Sequence, residues 1–173
     1  MNEIINTLIT QRSCKSFQST MVPEEIIQDV VEAGLYAASA LNQQSPIILV
    51  VTSKETRDQL SRLNAKYDPR KRPDPFYNAP VVLVVLAPKN APTGIYDGSL
   101  VLGNMMTAAF SLGIGSCWIH RAKETFEDGE GKQIFKSLGI QEEYEGIGNC
   151  ILGYPEHINT NIPPRRENRV FKI

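Results

Sequence analysis

The chain has 173 residues, 42% hydrophobic and 21% charged, with 18 basic and 19 acidic side chains and a formal net charge of −1. That length suits one hydrophobic core, so a single domain over residues 1–173 is expected, with 155–173 as a C-terminal arm. A balanced charge gathers no polyanion, and no apolar run approaches the ~20 residues that cross a bilayer, so neither nucleic acid nor membrane is expected as a partner.

Residues 2–11 place Ile4, Ile5, Leu8 and Ile9 at helical spacing and read as a short amphipathic helix, followed by a loop at 12–17. Pro23 suits a first helical position and Glu24 and Glu25 suit the positive end of the helix dipole. That helix continues on a broad apolar face to about Ala38. Pro46 to Thr52 and Pro80 to Ala87 are β-branched and uncharged, as expected of strands buried on both faces. Between them, 53–67 reads as a charged helix and 68–78 as a Pro-rich loop.

Asp97 looks like the N-cap of a helix that runs to about Leu112 and stops at Gly113. Its residues leave almost no polar face, so it either crosses the core or lies in a dimer interface. A strand at 114–119, a helix at 131–138 and a strand at 146–153 complete an α+β layered pattern. The arm ends in Val170-Phe171-Lys172-Ile173, an alternation that suits a strand docking on another subunit's sheet edge.

Cys14, Cys117 and Cys150 are scattered and odd in number, without metal-ligand spacing, so no disulfide framework and no metal site is expected. The start lacks the basic-then-apolar pattern of a signal peptide, which makes the cytoplasm the expected compartment. Arg70, Lys71 and Arg72, and separately Arg165, Arg166 and Arg169, read as solvated loops. No GxSxG, HExxH or P-loop occurs, and Gly113-Ile114-Gly115 and Gly146-Ile147-Gly148 lack the third glycine of a dinucleotide fold.

Three segments make sense together around a ligand with a phosphate and a polar planar ring. Arg12, Ser13 and Lys15 offer cations and a hydroxyl, with Arg165 or Arg166 able to approach the same dianion from the far end of the chain. Ser39 to Gln44 crowds side-chain amides behind an apolar helix, suiting the alternating donors and acceptors of an isoalloxazine edge. Gly115 to Arg121 is a strand end with small residues that admit a ring close to the backbone. Cys117 and Trp118 are expected in the core, and Met105 and Met106 as packing.

In these segments the chain resembles the FMN-dependent nitroreductase family, in its short type without a helical lid. The family's opening Arg-Ser-x-basic-x-aromatic signature appears as Arg12-Ser13-Cys14-Lys15-Ser16-Phe17, with Lys15 for the usual arginine. Its Pro-Ser-x-x-Asn-x-Gln-Pro segment appears as Ala38-Ser39-Ala40-Leu41-Asn42-Gln43-Gln44-Ser45-Pro46, with Ala38 for the proline. The helix from Asp97 followed by Gly113 to Ile119 looks like the family's dimerisation helix and the segment after it.

The resemblance implies a nitroreductase-like fold: a central, mostly antiparallel sheet flanked by helices, with the C-terminal arm exchanged in a homodimer. It implies FMN bound by Arg12, Ser13 and Lys15 on the phosphate and ribityl side, with Arg165 or Arg166 closing on the phosphate. Ser39 and Ala40 would reach in from the partner, with Ala38 also among the FMN-binding residues. Asn42, Trp118, Ile119, His120 and Arg121 would lie beside the ring. NAD(P)H would deliver hydride to flavin N5 and a small organic acceptor, a nitroaromatic or quinone, would remove it, so no protein residue is expected to act as acid, base or nucleophile. The alternatives are an FMN carrier or sensor, and another flavin reaction such as dehalogenation or heterocycle oxidation.

Overall fold

The computed structural model describes residues 2–140 and 142–173. Among these, one sheet carries strands β1 (Ile47–Val51), β2 (Val81–Pro88), β3 (Gly115–Ile119) and β4 (Tyr144–Gly153) in the order β1-β2-β4-β3, with every pairing antiparallel. The helices are α1 (Glu3–Thr10), α2 (Glu24–Leu35), α3 (Lys54–Lys66), α4 (Gly94–Ser111), α5 (Ala122–Glu127) and α6 (Gly129–Ser137), with a 3-10 turn at Ala40–Asn42. The expected antiparallel α+β fold is what forms.

The period-2 geometry of β2 divides the core. Val81, Leu83, Val85 and Ala87 face one side with Ile27 and Val30 of α2 and Leu102, Met105 and Ala109 of α4. Val82, Val84 and Leu86 face the other with Leu60 of α3, Phe76, Cys117, Ile119 and Phe126 of α5. Every residue from Val81 to Ala87 is buried, as its uninterrupted apolar run predicts. β1 departs from that expectation: it has only β2 as a neighbour, and of its five residues only Val51 is buried.

Two helix boundaries differ instructively from the sequence pattern. α4 begins three residues before Asp97, with Thr93 at the N-cap position, so Asp97 lies in the first turn and does not cap it. Its carboxylate is committed elsewhere, as described below. Gly113 does terminate the helix, with φ +75° and its N–H on the Phe110 carbonyl at 3.1 Å. α2 stops at Leu35, short of Ala38. Helix α5 had no sequence forecast because it is six residues long and opens on Arg121 in a left-handed conformation (φ 76°). It packs on β4, where a Cβ added to Gly146 would fall 2.4 Å from the Ala122 carbonyl oxygen.

α4 enters the core on one face and leaves large apolar residues exposed on another. Val101, Leu102, Met105 and Ala109 enter the chain's own core, whereas Ile95, Tyr96, Leu100 and Leu112 are exposed. α1 buries none of its residues: Ile4, Ile5, Leu8 and Ile9 all face outward. On the arm, Phe17 bridges Pro155, and residues 156–173 form no strand in the chain taken alone.

Candidate functional site

The segment at 12–17 lies along the outer edge of β3. Ser13 bridges Ser116 in parallel sense, and the Cys14 N–H donates to the Ser116 carbonyl at 2.8 Å. The approach is close enough that a Cβ on Gly115 would sit 2.8 Å from Cys14 Sγ. Glycine is therefore required at 115, and the tight fit sets where Arg12, Ser13 and Lys15 project.

These three side chains line one cavity of about 780 Å³ with His157, Asn159 and Asn161 of the arm and Phe110 and Gly113 at the end of α4. That size falls within the range of small-molecule sites. Arg12 Nε donates to the Asn161 carbonyl at 3.0 Å, and Nη1 donates to the carbonyls of Ile9 at 2.9 Å and Gln11 at 2.5 Å. Its Nη2 is buried and has no hydrogen-bond partner among the described residues. Three carbonyls thus fix the orientation of the guanidinium at the cavity's edge, where its charge suits an anion.

Lys15 lies 5.9 Å from the centre of the Tyr77 ring, and Arg72 lies 5.3 Å from the same ring. Arg72 is half-buried, ion-paired with Asp68 at 2.6 Å and hydrogen-bonded to the Tyr77 hydroxyl. The expectation of a solvated loop at 70–72 thus holds for Arg70 and Lys71 and fails for Arg72, because Asp68 and Tyr77 draw it inward. Burial pushes the Cys117 thiol up, against the opposing influence of the Ser13 side chain, Lys15 and Arg72. A neutral buried thiol fits the packing role read from the sequence, and Trp118 likewise packs against the core.

The segment from Ala38 to Gln44 is a compact, strained turn. Leu41, Asn42 and Gln44 have φ of 52°, 55° and 50°, a region that disfavours residues with a side chain. Ser39 Oγ accepts the Gln44 N–H at 2.9 Å, Asn42 Oδ1 accepts the Gln44 side-chain amide at 3.0 Å, and Asp97 Oδ1 accepts the Ala40 N–H at 3.1 Å. Ala38 and Ser39 line a small cavity of about 150 Å³ together with Gln44, Pro46, Asp97 and Val101.

At the end of β3, the chain turns through His120 and Arg121. Two buried amides fix this turn: Asn149 donates to the Ile119 carbonyl at 3.1 Å and Asn64 donates to the His120 carbonyl at 2.8 Å. Arg121 pairs with Glu124 at 2.6 Å. Burial opposes ionisation of Glu124, yet its own amide at the start of α5 and Arg121 prevail and hold the carboxyl below its usual range. His120 is exposed.

The structure brings Arg12, Ser13 and Lys15 together, with Ala38 to Asn42 and Trp118 to Arg121 on two further segments. Arg165 and Arg166 are exposed and line a separate cleft formed by residues 163–170, with Arg165 donating to the Pro163 carbonyl. Sequence reasoning missed His157, Asn159 and Asn161, which have no motif and reach the cavity because the arm is held against residues 12–18 by the Phe17–Pro155 bridge and by the Arg12–Asn161 and Ser16–Glu156 contacts. It also missed Asn64 and Asn149. The one available signal for these was a polar residue inside an otherwise apolar face, at Asn149 within Gly146 to Gly153.

An antiparallel α+β layer with a basic, hydroxyl-bearing cavity against its outer strand defines a recognisable class, and the chain belongs to the nitroreductase family, whose family model matches residues 8–154. It is similar to the NADPH-flavin oxidoreductase of Vibrio harveyi, at 24% identity over 95% of this chain and 70% of that protein. It is also similar to the FMN reductase (NAD(P)H) of Bacillus subtilis, at 24% identity over 90% of this chain and 67% of that one. A nitroreductase of Bacteroides fragilis, solved with bound FMN, superposes with a TM-score of 0.87 at 26% identity over the full length of both chains. One from Desulfitobacterium hafniense, also with bound FMN, shares the fold with a TM-score of 0.88 at 23% identity.

Proposed function

We propose that this chain is an FMN-dependent NAD(P)H oxidoreductase that works as a homodimer and reduces a small organic acceptor such as a nitroaromatic or a quinone. The observation that carries the proposal is the gathering of Arg12, its guanidinium fixed by three backbone carbonyls, with Ser13 and Lys15 on one cavity. Those residues fit a phosphate monoester: a fixed guanidinium, a hydroxyl and an ammonium supply charge-assisted donors without needing reorganisation. Arg165 or Arg166 would add to this grip once the arm settles against the partner.

Bound FMN supplies the hydride-accepting and hydride-donating chemistry, and the protein supplies position and electrostatics. Asn64 and Asn149 hold the carbonyls of His120 and Ile119, so the backbone at 119–121 is a rigid wall on which a planar ring can be oriented. Lys15 would add positive charge to the site, which favours electron gain by a bound flavin. Asn42, Trp118 and the preorganised turn at Ala38 to Gln44 complete the ring's surroundings.

Two features support a homodimer. Large apolar side chains are exposed on both α1 (Ile4, Leu8 and Ile9) and α4 (Tyr96 and Leu100), and a partner would cover them. The arm ends in exposed Val170, Phe171 and Ile173, suited to exchange with the partner. The deciding experiment is anaerobic addition of NADH or NADPH to the purified protein. Near-stoichiometric bleaching of the flavin band, reversed by a nitroaromatic or quinone, supports the reductase. A band that persists identifies a flavin carrier, and a reductase that ignores both acceptors points to another flavin reaction.

A further inference from the structure

Asp97 is only 4% exposed, and among the described residues its carboxylate has no cationic partner. It accepts two hydrogen bonds: from the Ala40 N–H at 3.1 Å, across 57 positions of sequence, and from the Thr93 hydroxyl at 2.8 Å. Burying a carboxylate without a counter-ion is costly unless its lone pairs are used, and here the N-terminal turn of α4 adds a favourable dipole. So expensive an arrangement needs a structural consequence.

The consequence lies in what the carboxylate holds. Three of the four residues from Leu41 to Gln44 are left-handed, and Leu41 is 91% exposed, so the turn gains little from burial. Beneath it is the cavity of about 150 Å³ bordered by Ser39, Gln44 and Asp97, and the nearby Ser45 hydroxyl is buried without a partner. Packing does not press this turn into place. Within the turn, the Ser39–Gln44 and Asn42–Gln44 bonds fix its shape, but they do not attach it to anything. The Ala40–Asp97 bond is the polar tether between the turn and α4.

We infer that Asp97 is the positioning residue for the flavin ring: by tethering Ala40 to α4 it presents the Ala38–Asn42 turn at the height the ring requires. This rests on the FMN reading above. Asp97 does not line the cavity of Arg12, Ser13 and Lys15, so its effect is carried by the turn. The turn serves the ring and Arg12 serves the phosphate, so the two residues have different ligand signatures.

The test compares FMN and riboflavin binding, by quenching of flavin fluorescence, in apo wild-type protein, Asp97→Ala, Asp97→Asn and Arg12→Ala. Asp97→Ala is expected to weaken FMN and riboflavin alike by at least about tenfold, the scale of one lost charge-assisted bond. Arg12→Ala should weaken FMN and spare riboflavin. Asp97→Asn, which keeps an acceptor for the Ala40 N–H, should recover most of the affinity. If Asp97→Ala does not fold, Thr93→Val decides: it removes one of the carboxylate's two supports and should produce a smaller loss of the same ring-dependent kind. Wild-type affinity for both flavins in Asp97→Ala, or in Thr93→Val where the former fails, overturns the proposal, as does a loss confined to FMN or an Asn variant no better than Ala. Wild-type protein that binds neither flavin overturns instead the functional reading on which it rests.

Discussion

Asn64, buried in α3, donates its side-chain amide to the carbonyl of His120 at 2.8 Å, joining a helix on one face of the sheet to the turn that ends β3. Asn149 does the same for the preceding carbonyl, of Ile119, from the neighbouring strand. Two consecutive peptide groups are therefore held by side chains that lie wholly inside the protein. Asn64→Ala should leave the His120 carbonyl without this partner, costing about 1–3 kcal/mol of stability by denaturant unfolding. It should also slow bleaching of the flavin by NAD(P)H in stopped flow while FMN retention stays near wild type. A variant that unfolds earlier but is reduced at the wild-type rate would separate the turn from the chemistry.

Arg12→Ala should weaken FMN retention by about 1.5–3 kcal/mol, the range for a hydrogen bond to a charged group. Equilibrium dialysis checks this directly. Arg12→Lys should restore only part, since an ammonium cannot occupy the Ile9, Gln11 and Asn161 carbonyls and still present a fixed donor to the cavity. Unchanged occupancy after dialysis would remove Arg12 from the site.

Leu100→Glu places a charge on the exposed face of α4 and leaves the buried face of Val101, Leu102 and Met105 alone. Sedimentation should show a halved mass, with flavin lost in the same step. Met105 is unsuitable for this experiment because it is fully buried against Gly34 within its own chain. A monomer that still holds FMN would contradict a shared site.

The pH dependence of stability should expose Asp68. The Arg72 guanidinium, with burial opposing and the Arg70 and Arg72 amides assisting, holds this carboxyl well below its usual range. A folded-state value below the unfolded value of about 3.9 means the pair stabilises the protein at higher pH, and that contribution is lost as pH falls below about 4. The thermal midpoint should therefore drop more steeply on acidification in wild type than in Asp68→Asn, the two curves converging at low pH. Parallel curves would show that the pair contributes nothing.

The parts of the fold visible in the sequence are those where one physical rule acts alone. The unbroken apolar run at 81–87 forms a strand buried on both faces, although the similar run at 46–52 ends at the sheet edge, and Gly113 ends its helix at positive φ. Arg12, Ser13 and Lys15 could be grouped because they are neighbours in sequence. Where two rules compete, the sequence misleads: Asp97 has the chemistry of a cap, but its acceptors are used by Ala40 and Thr93, and only tertiary structure decides between them. Arg72 reads as solvated until Tyr77 and Asp68 fold over it. Asn64 and Asn149 carry no pattern, because their partners are backbone carbonyls 56 and 30 positions away.

The eight residues of α1 touch the core of their own chain with no buried side chain. A helix that short does not persist in water by itself. In the proposed homodimer the partner would supply the missing cover and so link N-terminal order to protein concentration: amide exchange along Glu3–Thr10 should accelerate on dilution while β2, locked between two layers, exchanges at an unaltered pace.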